Sequence, residues 1–468
     1  MTQSDLTVMV LAAGKSTRFK SRVPKVLHPL GERAIIAHSL DLAAQLTTEP
    51  AVLVVGPETE EDLRAWGKDR VRYVVQHDRR GTGHAVQQAQ PLLQGSTRRV
   101  LVLYGDMPLL RAETLRALSH QQRVTGAAIA LLTVIRPEPQ GFGRILRDAQ
   151  GAVQCVVEEP EATPEQLAIR ELNAGIYVFD ADFLWATLPR LVPSAEKGEL
   201  YLTDMVGLAT GAGLQVASTT VEDETEVIGI NTRVDYALAQ EVLRERIARH
   251  WMLSGVTIID PRTTHIGEAV RIGQDTVIHP NTYLRGATII GSECTIGPNT
   301  IIESSEIGEG CTVLASVLEY AVMEPHSDIG PFSHLRKGAR ICSGTHVGNF
   351  AELKNSTLGP HSHMGHFSYL GDTTTGEHVN IGAGTITCNF DGVQKHRTTI
   401  GDHVFVGSDS LLVAPVELGS GCKTGAGSVV THDVPPNALA YGVPARVRKQ
   451  VEPPEDEPPT PPENAPEA

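Results

Sequence analysis

His265-Ile266-Gly267-Glu268-Ala269-Val270-Arg271-Ile272-Gly273-Gln274-Asp275-Thr276-Val277-Ile278 opens a run in which each sixth position is aliphatic: Ile266, Ile272, Ile278, Leu284, Ile290, Ile296 and Ile302. Neither the 3.6-residue period of a helix nor the two-residue alternation of a strand gives that spacing. The phase slips after 302 and resumes through Ile329, Leu335, Ile341, Val347 and Leu353, then Leu358, Met364 and Leu370, and finally Ile400, Val406, Leu412 and Leu418. Glycine often follows the aliphatic residue, as at Gly267, Gly273, Gly297, Gly348 and Gly407. Hexads of short strands and turns are the signature of a parallel β-helix. One coil cannot bury its own interior, so many must stack. Scattered β-hairpins are the competing explanation, but chance rarely produces such a period.

A chain of 468 residues is too long for one hydrophobic core. The formal net charge of -15 argues against a nucleic-acid partner, which would call for a basic patch. Much of that charge lies in Val451–Ala468, a proline-rich stretch that cannot bury enough apolar surface to offset its chain entropy. The six cysteines show no CxxC pair or zinc-like spacing, so most are expected to be small core residues in a reducing compartment. The longest apolar run, Ala127–Ile135, is too short for a membrane span, and the N-terminus lacks the pattern of a signal peptide. A soluble, cytoplasmic protein without membrane insertion is expected.

Upstream of the solenoid, short apolar runs (Val8–Leu11, Val52–Val55, Val71–Val75, Val100–Tyr104) alternate with helix-like segments such as Ala34–Gln45. That rhythm predicts a parallel sheet covered by helices. Val234–Leu253 is rich in Ala, Leu, Glu and Arg without Gly or Pro, and predicts a linking helix. The expected organisation is therefore an α/β sheet domain over 1–233, a helical linker over 234–253, a β-helix over 254–447 and a disordered tail over 448–468.

The first strand runs into Ala12-Ala13-Gly14-Lys15-Ser16-Thr17-Arg18, followed by Pro24-Lys25-Val26-Leu27. Small residues let backbone N–H groups approach phosphates, and Arg18 and Lys25 add charge. A lone glycine-bearing loop is more often a plain turn; its place after the first strand, beside two cations, favours phosphate. Tyr104-Gly105-Asp106 ends a further strand. In open parallel sheets ligands gather beyond the carboxyl ends of strands, and a carboxylate there suits Mg²⁺. A helix cap is the plainer role for Asp106.

These motifs, with QHDRRGTGHA, LYGDMPLL, GFGRI, LNAGIY and IGINTR, resemble the bacterial sugar-nucleotide pyrophosphorylases. The match is closest to the bifunctional N-acetylglucosamine-1-phosphate uridyltransferase / glucosamine-1-phosphate acetyltransferase family, from about residue 6 to about 447. The resemblance implies a Rossmann-like nucleotidyltransferase domain and a left-handed, hexapeptide-repeat β-helix that trimerises, with acetyltransferase sites shared between chains. It implies Mg²⁺ as cofactor, UTP and acetyl-coenzyme A as co-substrates, and a product that feeds peptidoglycan and lipopolysaccharide assembly. By position, Leu11, Ala12, Ala13 and Gly14 would hold the nucleotide, with Lys25 and Arg18 facing its phosphates. Gln76, Gly81 and Thr82 would read uracil, and Tyr104, Gly105 and Asp106 would lie by ribose and metal. Gly143, Glu158 and Asn173 match the sugar contacts, and Asn231 would join Asp106 at Mg²⁺.

In the solenoid, Ser333–Gly338 and Glu352-Leu353-Lys354 place cations at corners, suited to a phosphate or carboxylate. The period breaks after Thr387-Cys388-Asn389-Phe390-Asp391-Gly392, and a loop leaving a regular coil is where such folds build sites. Acetyl transfer to an amino sugar needs a base, and an imidazole with a pKa near 6.5 is poised for it. The spacing of His361, His363 and His366 also suggests a metal, but no carboxylate or cysteine completes the set. The family pattern marks His366 as the base. It assigns Arg336, Lys354, Tyr369 and Asn380 to the sugar phosphate, and Ala383, Asn389, Phe390, Ser408 and Ala426 to acetyl-coenzyme A. The pattern is departed from where Ser16 replaces Gly, where no lysine follows Glu158, where Phe390 replaces Tyr, and where the arginine before Val443-Pro444 is missing. The runner-up is a monofunctional sugar-1-phosphate nucleotidyltransferase with a structural β-helix; a non-catalytic scaffold is the more distant rival.

Overall fold

The computed structural model describes residues 3–137, 141–194 and 197–452. The chain forms two compact units, Met1–Leu243 and Arg244–Ala468.

The first unit is built on a sheet whose main path runs Val216–Thr220, Ile129–Ile135, Glu171–Asp180, Arg99–Tyr104, Thr7–Ala12, Val52–Val55, Arg72–Val75. Its central strands are apolar throughout because both faces are covered. Val8, Val10, Leu53, Val55, Leu101 and Leu103 join one core with Ile36 and Leu115. The alternate residues Met9, Leu11, Val52, Val54, Val100 and Val102 join another with Val86 and Leu184. The expected parallel sheet is corrected to a mixed one. Glu171–Asp180 runs antiparallel to both neighbours. The chain reaches it from the antiparallel pair Arg144–Arg147 and Val153–Val157 through only a four-residue helix, Pro164–Leu167. A parallel strand would need a longer crossover.

Thr7–Ala12 and Arg99–Tyr104 pair in parallel, with Leu11 beside Tyr104. The loops after them, Ala13–Arg18 and Gly105-Asp106, therefore leave the sheet at the same edge. That edge is where the first site lies.

One helix spans Arg233–Leu253. The division into units falls inside it rather than at its ends. Ala239, with Tyr236, Val242 and Leu243, packs on Phe19, Leu30 and Ile35. Ala248, Ile247 and Trp251 belong instead to the core of the second unit.

The second unit is a parallel β-helix of the hexapeptide class. Strands of two to six residues fall into sheets of 12, 10 and 9 strands, and up to the last two strands each pairs with the one three further on. Val277-Ile278, for example, lies against Thr295-Ile296. The aliphatic sixth positions point inward; Ile278, Leu284, Ile296 and Ile302 are wholly buried. The phase slip has a plain cause. Beyond Ile302 the buried positions are Ile307, Val313, Leu318, Met323 and Ile329, so some sides hold five residues instead of six. Beside the aliphatic column sit buried Thr, Ser and Cys side chains that bond backbone carbonyls, as Thr276 Oγ1 does to Gly291 at 2.8 Å and Cys294 Sγ to Gly308 at 3.0 Å. All six cysteines are free, but only Cys294, Cys311 and Cys422 are buried, fewer than expected. Burial pushes the Cys311 thiol up to about 11 and the Cys422 thiol to about 12, so neither is a ready nucleophile. Ala445–Gln450 pairs antiparallel with Ala438–Gly442, which moves the expected start of the tail past 448. The acidic tail from 453 onward lies outside the described residues.

Candidate active sites

At the sheet edge lies a cavity of about 460 Å³. Leu11, Ala12, Ala13, Gly14, Arg18, Lys25, Gln76, Gly81, Thr82, Tyr104, Asp106 and Asn231 all line it. Its charged centre is compact. Lys25 Nζ donates to Asp106 Oδ2 at 2.7 Å and to Asn231 Oδ1 at 3.3 Å, and the lysine side chain is only 8% exposed. Three residues far apart in sequence thus meet, and the two oxygens converge on one cation. A carboxylate and an amide oxygen facing one point form the hard donor set that Mg²⁺ prefers, so these residues fit that ion. Asp106 therefore does not act as a plain helix cap. Among the described residues, the amides of Gly14 to Arg18 donate to no protein acceptor. A run of unspent N–H groups beside two cations is suited to phosphate oxygens.

Gln76, Gly81 and Thr82 are held from behind. Gln76 is buried and its Nε2 donates to the Gly81 carbonyl at 3.1 Å. Thr82 Oγ1 accepts from the Leu202 amide at 3.1 Å. Gly81 has φ +99°, and a Cβ there would lie 2.6 Å from the Leu200 carbonyl oxygen. At Gly105 a Cβ would come within 2.5 Å of Ile36 Cδ1, so a side chain there would displace the end of Ile36.

Among Gly143, Glu158 and Asn173, the Asn173 backbone amide donates to the Gly143 carbonyl at 2.9 Å. Glu158 Oε1 accepts from the Thr203 hydroxyl at 2.8 Å. Burial raises the Glu158 carboxyl above its ordinary value, while the Thr203 bond opposes that shift. Tyr104 is pushed well up by burial, and the negative Glu158 and Asp106 add to it, so the two halves of the site share one electrostatic environment. Thr203 was not singled out by sequence reasoning, and nothing in its composition or spacing marks it. After Glu158, Glu159 stands where a lysine was looked for; it accepts from Arg144 at 3.2 Å.

In the solenoid the register builds a column. His363 pairs with Asn380, Asn380 with Phe405, and Phe405 with Lys423. Two residues beyond the inward positions Met364, Ile381, Val406 and Thr424 come His366, Ala383, Ser408 and Ala426, stacked along one corner of four successive coils. His366 is exposed at the lower end of that edge. The neighbouring sheet carries the cations. Its pairings set Leu335 beside Leu353 and Lys354 beside Gly371, so Arg336 and Lys354 fall in one outward column. Arg336 Nη1 bonds Glu352 at 2.8 Å. The missing side chain at Gly371 leaves room for the Tyr369 hydroxyl and the Asn389 amide, each of which would collide with a Cβ there. Asn389 Nδ2 and Asn355 Nδ2 hold the two oxygens of Asp372 at 2.5 and 2.6 Å.

The excursion beyond Cys388 is folded on Asp391, whose Oδ1 accepts from the Val393 and Gln394 amides and whose Oδ2 bonds His396 at 2.6 Å. It returns Lys395 to Lys354. The Lys395 ammonium pulls the Lys354 pKa below its usual value, and Arg336 adds to the effect. Lys395 was missed at the residue level, although the loop that delivers it was recognised. Asn380 is not brought to Arg336, Lys354 and Tyr369: it lies on another of the three sheets. His361, His363 and His366 also part company. His361 turns one corner and stacks on His378 at 5.2 Å, His363 lies in a strand, and His366 turns the next corner. Among the described residues, no group of three or more His, Cys, Asp or Glu side chains is arranged to hold a metal.

Comparison with known proteins matches both units. The model of the MobA-like NTP transferase domain fits residues 8–155, and that of the bacterial transferase hexapeptide (six repeats) fits residues 269–304 and 397–432. The bifunctional protein GlmU of Geotalea uraniireducens is 44% identical over 96% of this chain and 98% of its own length. The GlmU proteins of Pelobacter propionicus and Heliobacterium modesticaldum are 44% and 45% identical over 95% and 93% of this chain, and 97% and 94% of theirs.

The chain belongs to the bifunctional GlmU family. The positions noted as departures in the sequence have visible consequences. Ser16 sits in the left-handed region at φ 55°, ψ 27°, a conformation that costs serine more than glycine. Phe390 is 59% exposed and bridges to Lys395, so its ring is open for stacking. After Val443-Pro444, Arg446 bonds the neighbouring Ala445 carbonyl among the described residues, whereas Arg448 lies 5.3 Å over the Tyr441 ring.

Proposed function

We propose that the two sites are worked by the residues described above, in an enzyme that makes UDP-N-acetylglucosamine in two steps. The β-helix unit transfers an acetyl group from acetyl-coenzyme A to glucosamine-1-phosphate. The sheet unit then couples N-acetylglucosamine-1-phosphate to UTP and releases pyrophosphate. The observation that carries this reading is the convergence of Lys25, Asp106 and Asn231 in the nucleotide cavity of a chain about 44% identical to GlmU proteins over nearly its whole length.

In uridyl transfer the sugar phosphate attacks the α-phosphorus of UTP and pyrophosphate leaves. Charge develops on phosphate oxygens, and Lys25, Arg18 and the open amides of Gly14 to Arg18 are set to offset it. Asp106 and Asn231 would hold Mg²⁺, which when bound draws off charge from those oxygens. Gln76, Gly81 and Thr82 would hold the uracil, and Glu158 and Asn173 the sugar.

In acetyl transfer His366 would take a proton from the sugar ammonium. The freed amine attacks the thioester carbonyl, the N–C bond forms, the C–S bond breaks, and coenzyme A leaves as its thiol. Arg336, Lys354 and Tyr369 would hold the sugar phosphate. The corner from Ala383 through Ser408 to Ala426, with Asn389 and Phe390, would carry acetyl-coenzyme A. Asn380 lies on a different sheet from the cations, so it would serve a neighbouring chain's site in a homotrimer. No helix among the described residues is long and apolar enough to cross a membrane, in keeping with cytoplasmic work on small-molecule substrates. The product suits peptidoglycan and lipopolysaccharide synthesis.

The test separates the two activities. His366→Ala is expected to lose acetyl transfer and keep uridyl transfer, and Asp106→Ala the reverse. Undiminished acetyl transfer by His366→Ala would leave the solenoid a structural module.

A further inference from the structure

Arg79 lines the nucleotide cavity, and all three nitrogens of its guanidinium bond to protein. Nε donates to the Ala13 carbonyl at 2.6 Å and Nη1 to Glu58 Oε1 at 2.7 Å, while Nη2 bonds the other oxygen of the same carboxylate. Nη2 also covers Gly56, where a Cβ would come within 2.5 Å of it. One side chain, 20% exposed, therefore ties together its own loop, the turn after Val52–Val55, and the loop after the first strand.

That last loop is open around Gly14. A Cβ at Gly14 would meet nothing within 4 Å, and Ser16 stands in left-handed backbone. A trans peptide points its carbonyl and the following amide in opposite directions. Fixing the Ala13 carbonyl thus fixes the direction of the Gly14 amide. Among the described residues that amide has no protein acceptor.

We propose that Arg79, braced by Glu58, is a positioning residue that aims the Gly14 amide at the phosphates of UTP without itself binding the nucleotide. This rests on the uridyltransferase reading of the cavity. The brace holds at any working pH, because Arg79 keeps the Glu58 carboxyl down at about 2. An amide that binds phosphate equally before and during reaction contributes to KM rather than kcat.

The experiment uses the full chain and its Arg79→Gln, Arg79→Lys, Glu58→Gln and double Arg79→Gln/Glu58→Gln variants, assayed for both activities. Arg79→Gln is expected to raise KM for UTP about tenfold, the worth of one hydrogen bond to a charged group, with kcat changed less than about threefold. Arg79→Lys keeps the charge but cannot reach three acceptors, and should behave alike. Glu58→Gln should act in the same direction, and the double variant should be no worse than Arg79→Gln, since both remove one brace. Acetyl transfer should be unchanged in all four. An Arg79→Gln enzyme with wild-type KM for UTP overturns the proposal. So does a Glu58→Gln enzyme that binds UTP more tightly, which would make Arg79 a direct nucleotide contact. Should Arg79→Gln fail to fold, Glu58→Gln decides by the same criterion. Wild-type protein without uridyl transfer would instead sink the functional reading beneath it.

Discussion

Gly81→Ala concentrates the strain of the nucleotide site in one methyl group. Gly81 has φ 99° and ψ 179°, a region open essentially to glycine alone, where an L side chain costs about 1–3 kcal/mol. The added Cβ would also stand 2.6 Å from the Leu200 carbonyl oxygen, 2.8 Å from its nitrogen and 3.0 Å from its carbon. These are backbone atoms that cannot rotate aside. They are bonded on both sides, Leu200 N to Arg80 O at 2.7 Å and Gly83 N to Leu200 O at 2.8 Å. Overpacking of this kind typically costs a further ~1–3 kcal/mol. The loop can avoid that cost only by moving off Leu200, which also shifts the Gly81 carbonyl away from Gln76. The expected outcome is a rise in KM for UTP of about thirtyfold or more, equivalent to roughly 2 kcal/mol. Pyrophosphate release measured against UTP concentration reads it, and thiol release from acetyl-coenzyme A on the same preparation shows that the β-helix is intact. A Gly81→Ala enzyme with KM for UTP within twofold of wild type would refute the reasoning.

Lys25→Met removes the cation on which Asp106 and Asn231 converge, and uridyl kcat should fall about 10²–10³-fold while acetyl transfer stays unchanged. Lys354→Ala should raise KM for glucosamine-1-phosphate about tenfold; because Lys395 depresses its pKa, Lys395→Ala should move the onset of the high-pH loss of acetyl transfer upward. His346 Nδ1 bonds Asp328 at 2.6 Å, and that bond raises the imidazole pKa. Its stabilisation is full below the ordinary histidine value near 6.5 and disappears as pH rises through the higher folded value. Asp328→Asn should therefore lower the melting temperature more at pH 5.5 than at pH 8.5; both partners are more than two-fifths exposed, so the difference should correspond to only about 0.5 kcal/mol. Leu335→Ala, at a wholly buried position, should destabilise the β-helix by about 2–5 kcal/mol, read by denaturant unfolding.

The parts legible in the sequence are those with a period or a contiguous motif. Ile278, Leu284 and Ile296 announce the solenoid because each coil repeats one demand, an aliphatic residue facing inward. The apolar runs at Val8 and Val100 announce a sheet covered on both faces. What escaped lacks any such demand. The antiparallel strand Glu171–Asp180 is apolar like its parallel neighbours, and direction leaves no mark on composition. Thr203 meets Glu158 45 residues away, and Arg79 meets Ala13 66 residues away, each through one hydrogen bond. Lys395 was hidden for another reason: a loop outside the period obeys no register, so its residues cannot be assigned to a face before the Asp391 turn is seen.

The same regularity that makes the solenoid readable also gives it a use. Stacked coils repeat at about 4.8 Å, so the four corner residues His366, Ala383, Ser408 and Ala426 span roughly 14 Å in a straight line. Three of the four are alanine or serine, and the corner between them is neither bulky nor charged. An extended, mostly uncharged chain such as the pantetheine arm of acetyl-coenzyme A would lie along such an edge with its thioester at the histidine end. Arg448, over Tyr441, stands one coil beyond Ala426, where Thr424 pairs with Ala440. Bulk placed midway along the edge should then block the arm without touching the base. Ser408→Trp is expected to raise KM for acetyl-coenzyme A at least tenfold and to leave KM for UTP unchanged. Unaltered acetyl-coenzyme A kinetics in that variant would mean that the arm takes another path.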